Sequence, residues 1–478
     1  MLNPLPTAQW NYETAAHLLN RAAFGGSPAE IEAVRRAGLE QTVAQLLDPP
    51  NEPEEIENSA ERWDEPHDLR RRRKEKRRLK KEPGGRAMLR EARREERDEI
   101  GDLRYWWLTL MRDTRAPLLE KMTLFWHGHF ATSAQKVKNA YWMAQQNQTL
   151  RRYALGNFRT LLKAISRDPA MMLYLDVARS RRGHPNENWA REVMELFTLG
   201  IGNYSEEDIR ESARAFTGYR LDLTNQEFRY LRFLHDGGPK RFMGRTGDFS
   251  GDDILDLIVA QPACPEFIAR KLCRFFVEDE PAPGMVRAVA DLLRGSDFEL
   301  RPVLRALLTS ADFYSERVVR SQIKSPVQFL VQSCKLLEAE LPGRRAANVA
   351  LRQLGQVPLA PPNVKGWDGG KSWITTSTLL FRYNFTNYLI NGTNGESDLA
   401  PGLERAPLDL SKIIPADLRE KPEELITQLG RRLYQTSLGA KPKQTFLTYL
   451  KTQGADRSDQ TMRRLLHLMM STPQYQLT

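Results

Sequence analysis

Four stretches of this 478-residue sequence gather side chains able to do chemistry. In PNENWAREVMELF (185–197), the carboxylates Glu192 and Glu195 stand beside Arg191, a set suited to acid–base work or to holding a metal. In KMTLFWHGHFATS (121–133), His127 and His129 sit in an apolar, aromatic run, an expensive place for imidazoles without partners. Either could serve as a base. Together they could ligate a divalent metal, provided Gly128 bends the chain so that side chains two apart converge. HDGGPKRFMGRTG (235–247) offers His235 and Lys240 among glycines that let backbone amides approach an anion, although it matches no phosphate-loop spacing. APPNVKGWDGGKSW (360–373) places Asn363, Lys365 and Trp367 in a Pro/Gly loop able to close over a pocket. His17 and Arg21, one helical turn apart before FGGSP, and Arg214 complete the candidate binding groups.

Each group also has an ordinary structural reading. On a helical wheel from Asn186 to Phe197, Trp189, Ala190, Val193, Met194, Leu196 and Phe197 share one arc, and Glu187–Arg191–Glu195 runs as an i,i+4 ladder along the other. A solvated face accounts for every polar residue of that helix, and a wheel does not distinguish solvent from a polar cavity. His127 and His129 could equally be core histidines bonded to backbone carbonyls, and the tryptophans of the 360–373 loop could staple it to the core. Five of the seven histidines fall in or beside these stretches, as a shared pocket would require and as chance also allows.

The elements that must position these groups are overwhelmingly helical. Apolar residues recur at helical spacing over 13–24, 28–37, 101–112, 117–130, 136–151 and 158–167, then over 252–309, 325–339 and three stretches between 423 and 470. Ser27 and Pro28 read as N-cap and first residue of a helix that stops at Gly38. One strand pair is expected, over 226–244, where QEFRYLRFLHD alternates and GGP would close a hairpin onto KRFMG. VLRALLTSADFY (303–314) and RLLHLMMSTPQY (464–475) echo one another as a helix stopped at a serine with an aromatic packed back. The expected architecture is a mainly α, multi-helix core domain over 1–390 with one short β-hairpin insertion, and a C-terminal helical unit over 400–478.

The net charge of +10 belongs to one place. Residues 70–81, RRRRKEKRRLKK, carry ten basic residues and one acid, so the rest of the chain is close to neutral. That run interleaves no aromatics to stack on bases, and the charged 51–99 stretch reads as a solvated insertion rather than a nucleic-acid arm. Three scattered cysteines make neither a disulfide framework nor a zinc cluster. No apolar run reaches membrane-spanning length, and no signal peptide is seen, so a cytoplasmic location is expected, or export if the start is trimmed.

Long ordered motifs then carry a resemblance. HLLNRAAFGGSP, EKMTLFWHGHFATS, LRRYALGNFRTLLKAISRDPAMMLYLD, PNENWAREVMELFTLGIGNYSEEDIRESARAFTGYR, FIARKLCRFFV and PPNVKGWDGGKSWITTST together resemble the bacterial family known as domain of unknown function 1800, from about Ala15 to Phe385 and onward. The resemblance implies no reaction. It implies frequent export and gene neighbours from a sulfatase-like family, domain of unknown function 1501, hence a partner of that kind. The functional expectation is a polar pocket acting by hydrolysis or group transfer on a polar or anionic substrate. In it, Glu192 or Glu195 works with His127 or His129, and Arg191, Arg214 and Lys240 neutralise charge. The alternative is a non-catalytic helical scaffold for the sulfatase-like neighbour.

Overall fold

The computed structural model describes residues 2–48, 62–63, 74–75, 77–392 and 405–478. Part of the basic run, 70–73 and 76, lies outside them, as does most of the first half of the charged 51–99 stretch. The fold is mainly α. Helix starts follow the cap chemistry: Ser27 and Glu30 close a capping box before Pro28–Ala37, as Ser205 and Asp208 do before Glu206–Ala215. The helix expected at 101–112 runs as Gly85–Asp113, its middle tied down by Arg344 to Asp98 O at 3.2 Å and to Asp102 at 3.0 Å. Leu39–Leu47, Glu206–Ala215 and Arg344–Leu354 are helices the periodicity did not anticipate, whereas Thr376–Asn391 begins close to the helix start expected near Ser372.

Instead of the single hairpin over 226–244 there are two. Strand β1, Tyr219–Asp222, pairs antiparallel with β2, Glu227–Tyr230, and β3, Lys240–Phe242, pairs with β4, Arg245–Gly247. The GGP segment closes neither. Asp222 Oδ1 accepts the amides of Thr224 and Asn225, which turns the chain before β2. Between β3 and β4, Met243 and Gly244 both take positive φ, the primed turn whose twist suits a two-residue hairpin. The echoed helix ends recur as read. Leu300–Leu308 and Asp459–Met470 are each followed by a 3-10 turn carrying a buried tyrosine, Tyr314 and Tyr475.

Two large apolar clusters fill the molecule. One gathers residues from 118–199, 209–219 and 254–318 around Trp126, Phe130, Phe158 and Phe197. The other joins the Gly85–Asp113 helix to Pro326–Leu336, Arg344–Leu354, Thr376–Asn391 and the helices after residue 416. Helix Pro117–His129 runs along the seam, giving Phe125 and Trp126 to the first and Leu124 to the second. It is therefore buried nearly all round, as its almost continuous apolar sequence dictates. Its one carboxylate, Glu120, is fully buried. It receives Arg151 Nε at 2.5 Å and Nη2 at 3.0 Å, and the Trp107 indole at 2.8 Å.

Candidate functional site

A cavity of about 400 Å³ opens on that seam. Six segments and Thr478 wall it: the Pro117–His129 helix, the Ala263–Phe276 helix with Asp279 beyond it, the end of the helix that begins at Asn188, the buried face of Tyr12–Ala22, the stretch from Gln322 to Gln328, and the loop from Gln356 to Trp373. Phe125, Phe267, Phe275, Trp367 and Trp373 supply flat apolar walls. Its charged side chains are Arg21, Lys121, Lys271, Arg274 and Lys365 against Glu195, Asp279 and Asp368, an excess of positive charge.

The wall at Glu195 is built by a change of helix type. Asn188–Glu192 is α-helical, and Val193–Thr198 then widens to a π turn, with Leu199 N donating to Met194 O at 2.9 Å and Thr198 Oγ1 to Val193 O. A helix end leaves carbonyls without internal partners. Here Lys271 Nζ takes Leu196 O at 3.0 Å, and His129 Nε2 takes Phe197 O at 3.0 Å. The latter bond places the imidazole proton on Nε2, so Nδ1 accepts from Lys271 Nζ at 3.1 Å. Burial, with Lys271 alongside, holds His129 well below the ordinary imidazole value, so the ring is neutral.

Lys121 is the second notable cation. Its Nζ donates to Gln328 Oε1 at 2.6 Å and stands over the rings of Phe24 and Phe275. Gln328 donates onward to Gln332, Gln332 to Asn20, Asn20 to Gln435, and Gln435 to Gly26 O, a one-way amide chain whose oxygens face the lysine. Gly25, at φ +82°, leaves room for the Gln332 side chain where a Cβ would collide with it. Among the described residues, neither Lys121 nor Lys271 has a carboxylate within 4.0 Å. Burial pushes both ammonium groups down to about 7, Lys121 with help from Arg21, and Lys271 with help from Arg274 and Lys365. Arg21 is buried too. Its Nη2 reaches Val318 O at 2.9 Å and Ser321 Oγ at 3.2 Å, while Nε and Nη1 meet no protein partner.

Of the residues singled out in the sequence, Arg21, His129, Glu195, Lys365 and Trp367 border this cavity. Glu195 accepts the Tyr204 hydroxyl at 2.9 Å, and Lys365 lies 3.7 Å from Asp368. The others stand elsewhere. Arg191 is clamped by Glu206, both bonds 2.9 Å, on the outer side of its helix, so the polar ladder splits between solvent and cavity. Glu192 is half-buried and its carboxyl is raised by that burial and by Glu195. Arg214 grips Asp236 at 2.8 and 3.2 Å and Glu211 at 2.7 Å. Lys240 is fully buried against Gly238 O and Asp248, and His235 Nδ1 meets Thr217 O at 2.9 Å. These bonds fasten the hairpins to the Glu206–Ala215 helix and leave no donor aimed at the cavity. His17 Nε2 is bonded to Phe313 O at 3.0 Å, and Asn363 caps its own loop by accepting Lys365 N at 2.9 Å.

The histidine pair does not converge. Gly128 stays helical, so the two rings leave the axis in different directions. His127 Nε2 accepts Leu359 N at 2.9 Å against the edge of Trp107, in the opposite core from His129. Burial, with Arg104 nearby, brings it down to about 4. Among the described residues, no three of His, Cys, Asp or Glu gather as metal ligands. The expected His127–His129 metal site is therefore corrected to two neutral, hydrogen-bonded core imidazoles. Gly128 has another use: its carbonyl meets Gly366, at φ +85°, where a side chain would not fit, and this contact seats the Trp367 loop over the cavity.

Sequence reasoning missed Lys121, Lys271, Arg274 and Asp279. The two lysines did carry a signal. Lys121 has Phe125 four residues on and Leu118 three before, and Lys271 has Phe267 and Phe275 at minus and plus four. A lysine centred on an aromatic helical stripe is aimed inward.

The chain belongs to the family of proteins of unknown function DUF1800, whose model matches residues 17–477. No curated protein and no solved structure matches it. Among the described residues, no helix is long and apolar enough to cross a membrane.

Proposed function

We propose that the protein binds an anionic small molecule in the 400 Å³ cavity and acts on it there. The observation that carries this reading is the set of cations that line one space: Lys121 and Lys271, neither within 4.0 Å of a carboxylate among the described residues, with the buried Arg21 beside them. Burying an unpaired cation costs several kcal/mol unless a counter-charge enters. An anion in the cavity offsets that cost for Lys121 and Lys271 at once, and the aromatic walls suit a flat apolar portion of the same molecule. Glu195, half-buried and bonded to Tyr204, and neutral His129 are the acid–base groups within reach of such a ligand. Transfer chemistry through these side chains fits the donor set better than metal-assisted hydrolysis, because His127 and His129 share no ligand position. The scaffold reading, with a sulfatase-like partner, rests on the family resemblance alone.

The test is thermal unfolding with a panel of carboxylates and phosphates, on the wild type and on Lys121→Met. A ligand at one hundred times its Kd stabilises the folded state by about 2.7 kcal/mol. An anion-specific rise in Tm that shrinks in Lys121→Met supports the reading. No shift with any anion, or a shift that Lys121→Met leaves intact, overturns it.

A further inference from the structure

Resting on the anion-pocket reading, we propose that Lys271 is a nucleophile that forms an imine with the carbonyl group of an anionic oxo-acid. Its Nζ sits at the cavity wall among three neutral partners: Leu196 O at 3.0 Å, His129 Nδ1 at 3.1 Å and the Phe267 ring at 4.8 Å. No carboxylate holds the amine in its charged form, among the described residues, and the neighbouring Arg274 and Lys365 oppose that charge. With the group brought down to about 7, roughly half of it is the neutral amine at neutral pH, the form that attacks carbonyls. His129 distinguishes Lys271 from Lys121. Lys121 is pinned by an amide oxygen and two rings and serves as a fixed cation. Lys271 has a neutral base within reach, held in one tautomer by Phe197 O.

The step balances without an oxidant or reductant. The Nζ lone pair bonds to the carbonyl carbon and the C=O π pair moves to oxygen. One Nζ proton passes to His129 Nδ1 and on to that oxygen, giving a carbinolamine. The second Nζ proton then passes to the hydroxyl, which departs as water as the C=N bond forms. The carboxylate of the oxo-acid meets Arg21 and Lys121, which line the same space.

Pyruvate and lactate separate the two readings, since they share the carboxylate but only pyruvate has the carbonyl. The wild type, Lys271→Arg and Lys121→Met are incubated with pyruvate and borohydride and mapped by peptide mass spectrometry. Expected is one reduced adduct on the peptide bearing Lys271, lost in Lys271→Arg, weakened in Lys121→Met and suppressed by excess lactate. Stabilisation by pyruvate and lactate alike, with no adduct at Lys271 or with adducts scattered over surface lysines, overturns the imine and leaves the anion pocket standing. An adduct at Lys271 that lactate does not suppress keeps the amine and removes the anion reading. Neither stabilisation nor adduct removes both for oxo-acids.

Discussion

Anion binding should take up protons, and the amount follows from the cavity. In the free protein Lys121 and Lys271 titrate near 7, against 10.5 for an ordinary lysine. A bound carboxylate meets Lys121 and favours its ammonium form, while Lys271 stands at the far end of the ligand and keeps its neutral form. If the ordinary value of Lys121 is restored, the coupling approaches three and a half pH units, or roughly 5 kcal/mol as an upper limit. At pH 8 a group titrating at 7 is about one-tenth charged, so binding a fully ionised carboxylate recruits about 0.9 proton at Lys121. Affinity then falls about tenfold per pH unit above 8. The perturbation is pH, from 6 to 9, with lactate as ligand. The assay is titration calorimetry in zwitterionic buffers of different ionisation heat, whose slope reports protons exchanged. Lys121→Met should abolish the uptake. The same groups make the free protein gain stability as pH rises from 7 to 10.5, because across that window the unfolded chain binds protons that the folded one does not. Lactate affinity that is flat from pH 7 to 9, or proton release on binding, would refute the reasoning, since it would mean the Lys121 ammonium does not face the ligand.

Three further outcomes check the supporting structure. Glu120→Gln leaves Arg151 and the Trp107 indole around a neutral amide in a dry core and should cost about 3–5 kcal/mol in urea unfolding, whereas Glu120→Gln with Arg151→Met should cost less than either change predicts alone. His127→Ala strips the acceptor from Leu359 N and opens space beside Trp107, for a loss of about 2–4 kcal/mol. It should also weaken lactate binding by the remaining folded protein, because His127 holds Leu359 and packs against Trp367 in the loop that walls the cavity. Because burial lowers His17, His127 and His129 while the unfolded chain titrates near 6.5, stability is fully present above pH 6.5. It should fall by about 1 kcal/mol per histidine per pH unit below that, read as an acid shift in Tm.

What was legible in the chain and what was not divide along a physical line. Helix identity, caps and the buried arc of Trp189, Val193, Met194 and Phe197 are local properties, and periodicity with Ser, Asp and Asn chemistry encodes them. The length of Gly85–Asp113 and the split of one hairpin into two depended on partners far along the chain, such as Arg344. The site is harder still, since Glu195 and Arg191 are equivalent on a wheel. They part only because the π turn aims one inward and Glu206 holds the other outward. Gly366 shows how far such placement reaches. Its positive φ and its contact with the Gly128 carbonyl are what bring Trp367 and Lys365 to a cavity whose other cations lie on helices some 90 to 340 residues away in sequence. Gly366→Ala should therefore weaken lactate binding by tenfold or more, through displacement of the loop, while helix content and the urea-unfolding midpoint report an intact core. Loss of the core signal together with binding would show instead that the loop is part of what holds the two clusters together, and that the cavity is a by-product of that packing rather than a place built for a ligand.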